Sequence, residues 1–339
     1  MKTILISRTD AIGDVVLTLP MCGWLKKKLP GCRIIFLGAT YTQPVIACCE
    51  HVDQFLNKDT LNALPEEEQV RLLQAQHIDA VIHVFPDRTF ARLAKKASIP
   101  LRVGTRNRWF HWLTCNKLVK LSRKNSPYHE SQLNMFLLEG IGIHEFPPLA
   151  EVYQYTGFTK IAPLPAWLQQ ELQKQQEQQL HVILHPKSRG NGREWGLDKY
   201  AALARRLQEA GHVIFITGSG AEHELLKDWL KEQVPFARDL TGKLSLTEFI
   251  SLAHAADGLV ASGTGTLHIA AATGSHALGL FPPVRPVHPG RWAPIGEKAT
   301  YLVTEEGCTN CADPARCTCM EQITVAQVFE QVQAWATSL

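Results

Sequence analysis

Nowhere does this 339-residue chain approach the roughly 20 consecutive apolar residues that cross a bilayer, so no membrane-spanning helix is expected. The N-terminus lacks the pattern of a secretory signal, because one lysine is followed only by Ile4-Leu5-Ile6. The Gly-x-x-x-x-Gly-Lys-Ser/Thr loop is missing, which removes the P-loop enzymes. There is no short-period repeat and no low-complexity tract. No RNA- or DNA-binding module is recognisable, so nucleic acid is not an expected partner. The most localised absence is of acid. From Arg88 to His129 there are eleven lysines and arginines and no aspartate or glutamate. Within that stretch lies Arg106-Asn-Arg108-Trp109-Phe110-His111-Trp112, whose charge and aromatics suit an anionic partner, a membrane interface or a stacking surface.

What is present reads as a soluble globular chain, 45% hydrophobic and 20% charged, long enough for two ordinary domains. Nine cysteines, an odd number, favour reduced thiols in a cytoplasm over a disulfide framework. The net charge of +3 is unevenly spread. Residues 1–165 hold 20 basic against 14 acidic residues, and residues 166–339 hold 15 against 18.

Strand-like and helix-like segments alternate, which predicts a doubly wound α/β architecture with parallel sheets. Strands are expected at 4–7, 33–37, 80–85 and 101–104, with a helix over 13–29 interrupted by Pro20 and another over 132–140. A hinge is read at Ala162-Pro-Leu-Pro, followed by a polar helix over 167–179. The pattern then restarts. Strands are expected at 181–184, 212–217, 258–261 and 277–281, and helices over 199–210, 225–233, 246–255 and 266–272. The expected domains are 1–165, 166–322 and a C-terminal helix within 323–339 that packs back on the first domain. In open α/β sheets ligands bind beyond the carboxyl ends of strands, so loops after strands are the places to search.

The first such loop, Ser7-Arg-Thr-Asp-Ala-Ile-Gly-Asp14, carries two carboxylates where nucleotide-binding turns use glycines. Asp10 is read as a helix cap and Asp14 as a first-turn carboxylate. In the second half, Ser262-Gly-Thr-Gly265 stands between a strand and a helix. There Gly263, Thr264 and Gly265 would let a diphosphate approach backbone N–H groups, with His268 one turn in. Lys187, Ser188, Arg189 and Arg193 sit in a glycine-containing loop that could close on phosphate. Glu222 could accept ribose hydroxyls or simply complement a helix dipole. Lys243 lies in a further loop, ahead of a Ser245-x-x-Glu248 capping pattern.

In order along the chain, "DAIGDVVLTLP", "HESQLNMFLLEGIG", "HPKSRGNGREW", "LTGKLSLTEF" and "SGTGTLHIAAATG" resemble the heptosyltransferases of glycosyltransferase family nine. The resemblance implies a GT-B fold and an inverting, metal-independent transfer that needs no cofactor. It implies an ADP-heptose donor held by the second domain. The acceptor would be a Kdo- or heptose-bearing lipid of the lipopolysaccharide inner core, held by the first. It makes Asp14 the general base, and Arg8 a group that steadies an acid on the acceptor or the leaving phosphate. Arg8, Asp10, Arg106 and His129 are then the acceptor side, and Lys187, Ser188, Arg193, Glu222, Lys243, Gly263, Thr264, Gly265 and His268 the donor side. His129 and Asn134 fit a family segment that orients the N-terminal loops. One departure stands out, because many members carry an acid where this chain has Gly263. The implied location is cytoplasmic and peripheral on the inner face of the cytoplasmic membrane. The oligomeric state stays open.

Cys308, Cys311, Cys317 and Cys319 form a separate motif, four thiols that could hold structural zinc or iron. Two alternatives remain beside the heptosyltransferase: a same-fold transferase using another nucleotide sugar, and a non-catalytic, metal-stabilised nucleotide-binding protein.

Overall fold

A computed structural model describes residues 2–338 except 125, 174, 175, 177, 189–191, 305, 306, 312, 314 and 315. The chain divides into two compact domains, Met1–Lys160 and Ile161–Leu339. Each is built on one six-stranded sheet in which every pairing is parallel.

The first sheet comprises β1 (Thr3–Ser7), β2 (Arg33–Gly38), β3 (Gln54–Asn57), β4 (Ala80–His83), β5 (Leu101–Thr105) and β6 (Lys117–Val119), in the order β3-β2-β1-β4-β5-β6. Parallel strands need crossover helices on both faces, so the central ones are buried along their length and mostly apolar. Every residue of β1 is buried, and Ile4 lies opposite Ile34 on one side and Ala80 on the other. The second sheet comprises β7 (His181–His185), β8 (Val213–Ile216), β9 (Arg238–Asp239), β10 (Gly258–Ser262), β11 (His276–Phe281) and β12 (Ala299–Val303), in the order β12-β11-β10-β7-β8-β9. In both sheets the first strand lies inside, with the strand order reversing beside it. Such a reversal opens a crevice at the carboxyl edge. The β1 loop and the β7 and β10 loops sit at those reversals.

Where the expected helices differ from those found, the cause is local. The helix expected over 13–29 is two helices, Ile12–Val16 and Leu19–Lys28. Proline lacks an N–H and clashes with the preceding turn, so Pro20 is tolerated only in the first turn of the second helix. The polar helix expected over 167–179 covers Ala166–Glu171, where Leu168 is its one buried residue, and residues 174, 175 and 177 lie outside the described set. A helix with so little apolar face gains little from packing.

The last helix, Val325–Gln333, corrects an expectation. It takes its place in the core of the second domain, burying Val328 and Val332 with Trp195, Tyr200 and Leu226. Trp195 donates from Nε1 to the carbonyl of Ile323 at 2.9 Å, fixing the approach to this helix. Trp335 stacks on His276 at 5.1 Å and lies where a Cβ on Gly258 would stand, 2.5 Å from its ring. Gly258→Ala is expected to cost about 1–3 kcal/mol through overpacking, read as a lower urea midpoint with an unchanged slope.

Candidate active site

The turn after β1 brings three of the expected residues together. Arg8 is 3% exposed and is anchored by its own N–H to Leu37 O at 3.1 Å. From there its guanidinium reaches three carboxylates. Nε donates to Asp10 Oδ1 at 2.7 Å, Nη2 to Asp14 Oδ1, and Nη1 to Glu130 Oε1 at 3.2 Å. Asn134 Oδ1 accepts from the same Nη1 at 3.2 Å. Arg123 completes the set, donating to Glu130 Oε1 at 2.9 Å and to Asn134 Oδ1 at 2.8 Å. Asn134 then donates to Leu17 O at 3.2 Å and to Thr18 Oγ1 at 3.1 Å, tying the Glu130–Met135 helix to the end of the Ile12–Val16 helix.

Three carboxylates face two guanidiniums here. Burial raises the Asp14 carboxyl, Arg8 pulls it down, and Asp10 and Glu130 push it up again. The result is a pKa raised to about 6. Burial likewise raises Asp10 against the pull of Arg8. Arg8 itself is held more basic than usual: burial opposes its charge, but Asp14, Asp10 and Glu130 outweigh that. A carboxylate poised near neutrality at the carboxyl edge of a parallel sheet has the properties of a general base.

Several expectations need correcting. Asp10 does not cap the helix: Ala11 occupies the N-cap without a side-chain bond, and Asp10 serves Arg8. His129 is 1% exposed and caps the Glu130–Met135 helix, with Gln132 closing the capping box, so it offers no surface to a saccharide. Arg106 follows β5, two strands along from β1 and about 10 Å away by strand spacing. Its guanidinium lies 5.7 Å from the Trp112 ring. The sequence pattern does not point to Glu130 or Arg123. Glu130 reads as an ordinary first-turn acid, and its link to Arg8 spans 122 residues, which no local pattern reports.

In the second domain, four loops follow neighbouring strands. The β10 loop leads into the helix Gly265–Ala272, whose N-cap, Thr264, makes no side-chain capping bond. Its hydroxyl instead meets that of Thr266 at 2.7 Å. The first N–H groups of a helix have no partner within it, so this end suits an anion. His268 is 4% exposed in the same helix. A Cβ on Gly263 would stand 2.8 Å from Phe281 Cε1, and one on Gly192 would stand 3.0 Å from Gly263 O. The first contact leaves little room for any side chain at Gly263, and the second shows the β7 loop lying against the β10 loop. Gly263→Asp is therefore expected to destabilise the domain by about 1–3 kcal/mol, measured by urea unfolding.

The cations in these loops are already engaged. Lys187 Nζ pairs with Glu194 Oε2 at 2.6 Å, and Glu194 Oε1 accepts from Ser188 N at 3.1 Å. Arg193 Nη2 donates to Cys311 O at 3.4 Å, while its buried Nε has no partner among the described residues. Lys243 Nζ donates to Asp239 O at 2.6 Å. Glu222 turns out to be a capping-box partner. Its Oε2 accepts from Ser219 N at 2.6 Å and Ser219 Oγ at 2.9 Å, so the helix start, not a ribose, explains its position. Arg189 lies outside the described residues.

The sequence model of glycosyltransferase family 9 (heptosyltransferase) matches residues 70–320. This chain belongs to glycosyltransferase family 9. A Haemophilus influenzae protein carrying the provisional name of a glycosyltransferase is 25% identical over 313 residues, 89% of this chain and 88% of that one. The solved ADP-heptose lipopolysaccharide heptosyltransferase II of Escherichia coli superposes with a TM-score of 0.75 at 18% identity, covering 100% of this chain and 99% of that one. An iron-containing dodecameric glycosyltransferase, TibC of enterotoxigenic E. coli, superposes at 0.56 with 16% identity, covering 99% of this chain and 76% of that one. The family 9 chain is thus a glycosyltransferase with a GT-B-like pair of parallel α/β domains. Among its described residues no helix is long and apolar enough to cross a membrane.

Proposed function

We propose that this family 9 glycosyltransferase moves a heptose from ADP-heptose to a sugar hydroxyl of a lipid-linked inner-core saccharide of lipopolysaccharide, inverting the anomeric centre. The observation that carries this reading is Asp14, a carboxylate with a pKa near 6 held on Arg8 beyond β1. Asp14 takes the proton of the acceptor hydroxyl as its oxygen bonds to the anomeric carbon. The bond from that carbon to the diphosphate breaks, and its electron pair leaves with ADP. The growing charge on the diphosphate meets the uncapped N–H groups at Gly265 and the guanidinium of Arg193, whose buried Nε is available. Lys187 reaches phosphate only by leaving Glu194. The matched heptosyltransferase of E. coli, named for ADP-heptose and lipopolysaccharide, supports both substrates.

A second donor is the alternative, because Gly263 brings no side chain to the loop that would select the sugar. A panel of nucleotide sugars in a thermal-shift assay separates the two. ADP-heptose is expected to give the largest rise, since stabilisation follows ligand concentration over affinity. A larger rise with another nucleotide sugar would reassign the donor.

The cysteine motif fits a structural metal. The four sulfurs of Cys308, Cys311, Cys317 and Cys319 lie within 4.8 Å of one another, with Cys311 3.7 Å from Cys308 and 3.4 Å from Cys319. Tetrahedral zinc with Zn–S bonds of about 2.3 Å places its sulfurs about 3.8 Å apart. Four thiolates suit zinc or iron, and the superposed TibC is described as iron-containing. Because Arg193 is held by Cys311 O, the metal would also fix a donor-side cation. Cys311→Ser with Cys317→Ser is expected to lose the metal in elemental analysis and to weaken ADP binding roughly tenfold, the worth of one charged hydrogen bond. Metal-free wild-type protein as purified, with unchanged ADP affinity in the variant, would remove this assignment.

A further inference from the structure

The first domain carries a surface that the Asp14 site does not use. Trp109, Trp112 and Leu113 are 61%, 56% and 63% exposed, among the most exposed large apolar side chains of the protein. They stand on one short stretch, the turn after β5 and the helix His111–Thr114. Single exposed apolar residues need no explanation, but three together with two indoles do.

Two polar groups of this patch are already paired. Trp112 Nε1 donates to Arg106 O at 2.9 Å, so its ring can enter an apolar phase without stranding a donor. Lys95 Nζ donates to Leu113 O at 2.9 Å, joining the helix Arg88–Lys96 to the patch. Arg88 lies 4.7 Å from the centroid of Trp109, and Arg106 lies 5.7 Å from that of Trp112. Each exposed indole therefore has an arginine beside it.

Basic charge predominates around the patch. Acids do approach the Arg88–Lys96 helix: Glu66 pairs with Arg92 and Lys96, and Asp87 caps its start and pairs with Lys58. Arg88, Lys95, Arg106 and Arg108 have no acidic partner among the described ion pairs. Exposed tryptophans set among unneutralised arginines match the headgroup layer of an anionic bilayer, where indoles prefer the interface and basic side chains meet lipid phosphate.

We propose that this surface docks the first domain on anionic membrane, with Trp109, Trp112 and Leu113 entering the headgroup boundary and Arg106 and Arg108 meeting lipid phosphates. The surface is separate from the proposed reaction and would hold whichever nucleotide sugar is used.

Sedimentation of the full-length protein with phosphatidylcholine vesicles, with and without 30% phosphatidylglycerol, provides the test. The protein is expected to pellet with the anionic vesicles and to be released by salt. The triple variant Trp109→Ser, Trp112→Ser, Leu113→Ser is expected to remain in the supernatant with an unchanged melting temperature and ADP affinity. Arg108→Gln, at an exposed position, is expected to weaken vesicle binding about fivefold. Equal pelleting of wild type and triple variant would overturn the proposal, as would failure of the wild type to bind anionic vesicles. Self-association of the wild type that the triple variant loses, without vesicle binding, would assign the face to a second copy instead. ADP affinity reports on the other domain, so it separates failure of this surface from failure of the transferase reading.

Discussion

Asp14→Asn is expected to lower the transfer rate roughly a thousandfold, within the range for losing a general base, while leaving ADP affinity unchanged. Fold stability is expected to survive. The network around Arg8 holds Asp10, Asp14 and Glu130 against Arg8 and Arg123, so neutralising one carboxylate leaves two charges of each sign. The amide oxygen of the substituted side chain can still accept from Arg8. In the wild type the pH profile of kcat/KM should rise through about pH 6, as Asp14 loses the proton that must be absent for it to act. In the variant that limb should vanish. The stability linkage runs the other way. The folded chain holds this proton more tightly than the unfolded chain, whose carboxyl titrates near 3.8. The contribution of Asp14 is therefore complete below that value and is lost as pH rises through about 6. Steady-state rates from about pH 5 to 8, beside urea midpoints over the same range, check both signs.

Arg8→Met is expected to be the most damaging single change to the first domain. It removes the one cation shared by three buried or half-buried carboxylates and leaves only Arg123, which reaches Glu130. Breaking a buried pair by deleting one partner costs about 3–5 kcal/mol, because the remaining charge has no water to return to. That corresponds to a fall of roughly 10 °C in the melting temperature of a domain this size. Activity should fall with it. Asp14 loses its main stabilising charge, so its pKa should climb and the rising limb of the pH profile should move to higher pH. Arg8→Lys keeps a charge but cannot fork across Asp10, Asp14 and Glu130 at once, so it should recover stability only in part. A variant as stable as wild type would show that these carboxylates are solvated in the native protein.

Much of the fold is legible in the sequence, because buried parallel strands read as apolar runs. Ile4–Ile6, Ile34–Leu37, Val182–Leu184 and Leu278–Phe281 announce the middle of each sheet. The edges do not. β3, β6, β9 and β12 are short or half-exposed, and Arg238–Asp239 in β9 has no apolar residue at all. Asp14 is visible as a carboxylate out of place in a strand-to-helix turn. Its partners are not: Glu130 and Arg123 belong to the site only through tertiary distance. Lys187 looks like a free phosphate ligand until Glu194, seven residues on, is seen to neutralise it. Glu222 could have been placed from sequence, since Ser219-Gly-Ala-Glu222 is the same capping pattern as Ser245-Leu-Thr-Glu248. Arg193 hides its link to the cysteine motif for the reason Glu130 hides its own, a contact across 118 residues.

Incubation of the purified protein with ADP-heptose and a heptose-deficient inner-core lipid, read by mass spectrometry, tests the central claim most directly. Wild type is expected to add one heptose to the acceptor and release ADP in equal amount, and the Asp14→Asn protein, still binding ADP, to add almost none. Equal product from both proteins would take the base away from Asp14. No heptose transfer by a wild-type protein that binds ADP-heptose and acceptor would contradict the assigned reaction.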